Sequence, residues 1–142
     1  VSPRNDILFL RYYVRLMRPS DHDRLTVTID IPDNLPDVSI PPLIFPTFVE
    51  NAFKHGVSYK QDSFINIAMD ADDGELLFSC INSKKPVTEA SKVPSVGGVG
   101  LTNVRRRLDL IYDDRYTLDI KDKTDVYDVL LRLPIQKTEN HD

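Results

Sequence analysis

Cysteine occurs once in this chain, at position 80, so no internal disulfide can form and a reducing compartment is favoured. Its place in an alternating apolar run marks Cys80 as buried filler. Long apolar runs are missing as well. None approaches the ~18 residues that a membrane-spanning helix needs, and residues 1–20 lack a secretory signal pattern. There is no excess of positive charge: 18 Lys and Arg face 22 Asp and Glu, and the net charge of −4 speaks against general affinity for nucleic acid or anionic lipid. Any anionic ligand must therefore be held by local donors, a loop or a metal ion. Repeats and low-complexity segments are absent. Glycine is scarce, and three of the five residues crowd into positions 97–100.

What is present reads as one domain. A chain of 142 residues can bury about two thirds of the surface its unfolded form exposes, and 41% hydrophobic with 28% charged content is ordinary for a soluble globular protein. From Asn5 to Arg18, Ile7, Leu8, Tyr12, Leu16 and Met17 share a face at helical spacing, with Asn5 as cap and Pro19 as stop. Leu25, Val27, Ile29 and Ile31 alternate with Thr26, Thr28 and Asp30, the period of a half-buried strand. After a proline-studded loop from Pro32 to Pro42, a helix is expected from about Leu43 to His55. Pro46 falls in its first turn, and Gly56 stands where a left-handed cap is common. Strand-like runs at 64–69 and 76–81 flank Asp72-Asp73-Gly74, a hairpin signal. Residues 82–97 show no period, and a structureless loop of that length tends to be functional. Helical spacing resumes through Leu101, Val104, Leu108 and Ile111. Tyr116–Ile120 and Tyr127–Leu133 alternate as strands, and Gln136 to Asp142 reads as a loose tail. The order predicts an α/β (α+β) protein whose antiparallel or mixed sheet carries helices on one face.

The middle helix has two characters. Ile44, Phe45, Phe48, Val49, Ala52 and Phe53 form one broad apolar face, while Thr47, Glu50, Asn51 and Lys54 recur at three and four residues on the other. The first face is core; the second is either a solvated surface or a site. Asn51 offers a neutral oxygen, which suits Mg²⁺ already held mostly by phosphates and water. Lys54 and His55 follow within reach of the same phosphates. Gly97, Gly98 and Gly100 precede a helix that the periodicity starts near Leu101. Glycine lets N–H groups turn toward an anion, and a helix N-terminus adds oriented donors and partial positive charge. Glycines before a helix are often only a turn. The long loop ahead of them and a candidate metal ligand on another helix favour a phosphate cradle.

Ile40-Pro41-Pro42-Leu43-Ile44, Val49-Glu50-Asn51-Ala52-Phe53-Lys54-His55-Gly56 and Gly98-Val99-Gly100-Leu101-Thr102-Asn103-Val104 with Arg107-Leu108 closely resemble the ATP-binding domain of LytS-like sensor histidine kinases. The resemblance covers nearly the whole chain, including a Leu-x-x-Tyr segment at Leu10 to Tyr13 and a final strand from Tyr127 to Pro134. It implies the Bergerat fold, a two-layer sandwich shared with gyrase, in which ATP lies among the helices under a lid. Residues 1–20 would be a lead-in helix from the dimerisation or linker region, 21–135 the catalytic domain and 136–142 a flexible tail. By the same resemblance, Asn51 is the Mg²⁺ ligand and Glu50 polarises water or a metal-bound group. Lys54 and His55 contact phosphate or ribose, Gly98 and Gly100 wrap the phosphates, and Leu101, Thr102 and Asn103 open the helix beneath them. Arg105 is the best placed of three successive arginines, because residues ~100° apart cannot all face one ligand. Residues 84–97 would form the lid.

One departure stands out. Many proteins of this fold end the strand before the lid in Asp-x-Gly, whose carboxylate binds the adenine amino group; Ile81-Asn82-Ser83 stands there instead. Asn82 keeps an oxygen acceptor but loses the charge, which typically gives the weaker bond. No histidine sits in a phosphoacceptor context: His22 lies between Asp21 and Asp23 in a surface turn, and His141 lies in the tail. The resemblance implies a cytoplasmic catalytic domain of an inner-membrane, homodimeric parent. That parent would phosphorylate its own upstream histidine and pass the phosphate to a response regulator, often of LytTR type. A degenerate scaffold domain of the same fold is the rival reading, and a serine kinase of the anti-sigma-factor type a weaker third.

Overall fold

The computed structural model describes residues 3–17, 24–32, 44–58, 61–72, 74–84 and 97–135. Their elements run α1 (Pro3–Met17), β1 (Leu25–Asp30), α2 (Ile44–Gly56), β2 (Ser63–Asp72), β3 (Glu75–Ser83), α3 (Gly97–Tyr112), β4 (Thr117–Asp122) and β5 (Val126–Pro134). The expectations for the Pro32–Pro42 loop, the body of the lid, His22, His141 and the tail from Gln136 lie outside the described residues, apart from Pro32 itself.

Period-two burial builds the sheet. Ile65, Ile67 and Met69 of β2, Leu76, Phe78 and Cys80 of β3, and Val129, Leu131 and Leu133 of β5 all face one side and are buried. The strand order is β1-β2-β3-β5-β4. β1 pairs with β2 in parallel, and the other three pairings are antiparallel. The sheet is thus mixed, as expected. A parallel pair needs a crossover, and α2 lies in the one that joins β1 to β2. Its Phe45 and Phe48 rings stack on Phe78 of β3, with centroids 4.8 and 5.9 Å apart. Each such side chain contributes about 1.5–3 kcal/mol when fully removed from water. The β2–β3 hairpin closes with Asp72 opposite Glu75, and Gly74 takes φ 87°, the conformation that the Asp-Gly signal requires. Cys80 is inside, where burial first and the Asp128 charge second push its thiol up to about 12.

Several local expectations need correction, the first being Asn5 as a cap, since α1 begins at Pro3. In α1 the packed residues are Leu10 and Val14, flanked by Ile7 and Tyr13, whereas Leu8, Tyr12, Leu16 and Met17 are exposed. This helix carries two apolar stripes, and periodicity cannot choose between them. In α3 the buried stripe is Val104, Leu108 and Tyr112, four residues apart, while Ile111 is 47% exposed. The helix also begins at Gly97 rather than near Leu101, so the glycines form its first turn. Finally, Gly56 is not a left-handed cap, because its φ is not positive. A Cβ there would lie 2.7 Å from Asn82 Nδ2 and 2.8 Å from the Ser83 carbonyl oxygen. Close approach to β3 demands the glycine.

Candidate functional site

α2 presents four of the predicted residues along one flank. Because Phe45, Phe48, Val49, Ala52 and Phe53 are drawn into the core, Glu50, Asn51 and His55 are left half-buried and Lys54 exposed. Lys54 Nζ lies 3.3 Å from Glu50 Oε1, and the Tyr13 phenol of α1 feels the charge of the same carboxylate. Burial first and the neighbouring Glu50 carboxylate second push the Tyr13 phenol up to about 12.

α3 meets the front half of this helix. A Cβ built on Gly100 would touch Thr47 Cγ2 at 3.7 Å, which sets the first turn of α3 against α2. Asn51 is four residues beyond Thr47 and therefore on the same face. The first N–H groups of α3 come from Gly97, Gly98, Val99 and Gly100 and have no partner within the helix. Together with the helix dipole they give this end oriented donors and a partial positive charge. Leu101 is half-buried, and Thr102 and Asn103 are exposed. Arg105 is exposed, and its charge opposes the Asp109 hydrogen bond that raises Tyr116, just before β4, and the burial that raises Tyr127 of β5.

The other end of α2 abuts the end of β3. Asn82 is 1% exposed, faces the helices and donates from Nδ2 to the Ser83 carbonyl at 2.7 Å. That bond fixes the amide and leaves Oδ1 as its acceptor, with no partner among the described residues. Ser83 Oγ accepts from the Phe64 N–H at 2.9 Å and donates to the Gly56 carbonyl at 3.3 Å, so the serine ties the last turn of α2 to the sheet. Lys84, expected as the start of the lid, is held to the sheet by an ion pair with Asp122 and a backbone bond to Asp125, while Gly97 at the other end belongs to α3. From Thr47 to Gly56 the helix rises about 14 Å at ~1.5 Å per residue. The start of α3 and the Asn82 amide thus lie toward opposite ends of this helix.

Among the described residues no group of three or more His, Cys, Asp or Glu converges on a metal site. A divalent ion here would draw most of its oxygens from bound phosphates and water, and Asn51 suits the single neutral ligand left to the protein. A depression of about 440 Å³ lies on the opposite face of the sheet, between Asp30, Ala68, Asp70, Leu77, Ser79 and Leu130. Its two carboxylates carry the wrong charge for a phosphate chain.

No family model matches the chain. Sensor histidine kinase BtsS of Escherichia coli K12 is 31% identical over 140 residues, which are 94% of this chain and 24% of that protein. Sensor protein LytS of Staphylococcus haemolyticus is 27% identical over 117 residues, 75% of this chain and 20% of its own length. The chain belongs to the sensor histidine kinase family. Solved structures agree on the fold. The histidine kinase domain of the Erythrobacter litoralis EL346 blue-light activated kinase matches with a TM-score of 0.62 at 12% identity, over 90% of this chain and 58% of that one. Full-length ShkA in complex with AMPPNP matches at 0.62 and 18% identity, over 89% and 29%. This histidine kinase segment spans about a quarter of the length of the curated relatives it matches. No helix of its described residues is long and apolar enough to cross a membrane.

Four residues around the site of this histidine kinase segment were not singled out as functional from the sequence. Thr47 and Ser83 are small polar residues whose contacts with Gly100 and Gly56 arise only in the fold. Tyr127 stands directly opposite Asn82 in the β3–β5 register, and the Tyr13 phenol feels the Glu50 charge across a helix interface. The polar face of α2 was the sequence signal for Thr47, and the Leu-x-x-Tyr segment that for Tyr13.

Proposed function

We propose that the chain binds Mg-ATP between α2 and α3 as the catalytic domain of a larger two-component kinase. It would present the γ-phosphoryl group to a histidine on an upstream dimerisation region. The observation that carries this reading is the seating of Gly100 against Thr47, one turn from Asn51, with Asn82 at the far end of the same helix. The N–H groups opening α3 would hold the phosphates, and Asn51 would supply a neutral oxygen to their bound cation. When bound, Mg²⁺ neutralises and aligns the phosphate oxygens. Lys54 would add positive charge from the exposed flank, while Glu50 restrains that lysine and orders nearby water. Asn82 Oδ1 would accept from the adenine amino group, its Nδ2 being engaged by Ser83. Catalysis in such a site is chiefly positioning and charge stabilisation.

In the parent protein we infer a homodimer whose catalytic domains lie in the cytoplasm beside an inner membrane. The phosphate would pass on to a response regulator, of LytTR type by the family resemblance. Titration calorimetry with ATP, with and without Mg²⁺, tests the central claim. Wild type is expected to bind ATP in a Mg²⁺-dependent way, and Asn51→Ala to lose most of that dependence with its melting temperature unchanged. ATP binding that is absent at millimolar concentration, or indifferent to both Mg²⁺ and Asn51→Ala, would leave a scaffold role as the better reading.

A further inference from the structure

Two apolar surfaces stay uncovered among the described residues, and they lie on different layers. On the helix layer, Leu10 and Val14 seat α1 on the core, which turns Leu8, Tyr12 and Leu16 outward at 63%, 64% and 77% exposure. Spaced four residues apart, these three form one continuous stripe. Arg11 and Arg15 are exposed, each one residue before Tyr12 and Leu16, so both cations line the same flank of it. On the other layer is the open face of the sheet with its hollow of about 440 Å³. The floor is low because Ala68 and Ser79, both small, stand opposite each other in the β2–β3 register, while Leu77 and Leu130 wall it. Asp30, opposite Ala68, and Asp70, opposite Leu77, stand at its rim.

The two surfaces are opposite in charge. Neither Asp30 and Asp70 nor Arg11 and Arg15 have an ion-pair partner among the described residues. A strand spacing of ~4.8 Å and a rise of ~3.3 Å per residue set the two aspartates about 8 Å apart along the backbone grid. Arg11 and Arg15 stand one turn, ~6 Å, apart along α1, and long arginine side chains cover the difference. The match cannot be made within one chain, since α1 is packed on α2, on the far side of the sheet from the hollow. We infer that the outward stripe of α1 docks on the open sheet face of a second copy of this chain, with Arg11 and Arg15 facing Asp30 and Asp70. Apolar burial supplies the attraction, and the charges set register and choice of partner. The contact uses no residue of the α2–α3 cleft and is independent of the nucleotide reading.

Sedimentation velocity tests it. Wild type is expected to self-associate between micromolar and submillimolar concentration, and less so at high salt. Asp70→Arg and Arg15→Asp, both at exposed positions, are each expected to weaken association about tenfold or more with the melting temperature unchanged. Combined, they exchange the charges across the contact and should recover affinity to within about threefold of wild type. Asp30→Arg with Arg11→Asp supplies a second cycle if a variant of the first does not fold. A wild type that stays monomeric throughout overturns the inference. An oligomer that Leu16→Lys breaks but Asp70→Arg leaves intact overturns it too, because α1 would then be pairing with α1. So does a loss in both single variants that their combination fails to recover.

Discussion

Gly56→Ala sets two opposing effects of known sign against each other. Gly56 is the last residue of α2 and its φ is not positive. On helix propensity alone, alanine should therefore stabilise by up to ~1 kcal/mol. The fold gives the opposite answer. The new methyl would sit 2.7 Å from Asn82 Nδ2, 2.8 Å from the Ser83 carbonyl oxygen and 3.0 Å from Asn82 Cβ. The Ser83 oxygen is backbone within β3 and cannot swing aside, and the Asn82 amide is buried and tied to that same carbonyl. Overpacking of this kind costs about 1–3 kcal/mol, so a net loss of about 1–2 kcal/mol is expected. At ~4 °C per kcal/mol for a domain of this size, the melting temperature should fall by about 4–8 °C. Thermal unfolding followed by circular dichroism reads this directly. Adding Asn82→Ala should recover only part of the loss, because the Ser83 oxygen and the residue 82 Cβ remain. A Gly56→Ala protein as stable as wild type, or more so, would refute the close-approach reasoning. Weaker ATP binding by the same variant is expected, since it displaces the Asn82 amide.

Phe78→Ala removes a ring packed between Phe45 and Phe48 and should cost about 3–5 kcal/mol in urea unfolding; a loss below ~1 kcal/mol would contradict the packing. Cys80 should resist Ellman's reagent in the native protein at pH 8 and react fully in urea, and rapid native labelling would contradict its burial. Its thiol is raised by folding from 9.0 to about 12. The associated stability is therefore complete below pH 9 and lost as pH climbs toward 12, so urea midpoints should decline across that window rather than below it.

The fold was legible where the residues speak with one period. The strands alternate cleanly because one sheet face is buried, and α2 could be oriented from its aromatic stripe. α1 was not legible in that way, since apolar residues lie on both of its sides and only contact with α2 decides which stripe goes inward. The glycines at 97–100 were visible, but not that they would be wound into α3, because propensity disfavours glycine in a helix. Asn82 was noticed as a departure from a pattern; the reason it is held firmly, a bond to its own neighbour under the end of α2, is a long-range product of β3 meeting that helix. Tyr13 and Glu50 come near each other only across an interface, and no local rule pairs them.

The tight turn between Asp72 and Glu75 stands at the end of β2 and β3 remote from Asn82 and Ser83. An insertion between Asp72 and Gly74 would extend an exposed tip and leave the sheet register and the α2–α3 cleft untouched. A fluorescent protein or affinity tag spliced there should travel with the domain as a passenger, giving a handle for following it without burdening either chain end.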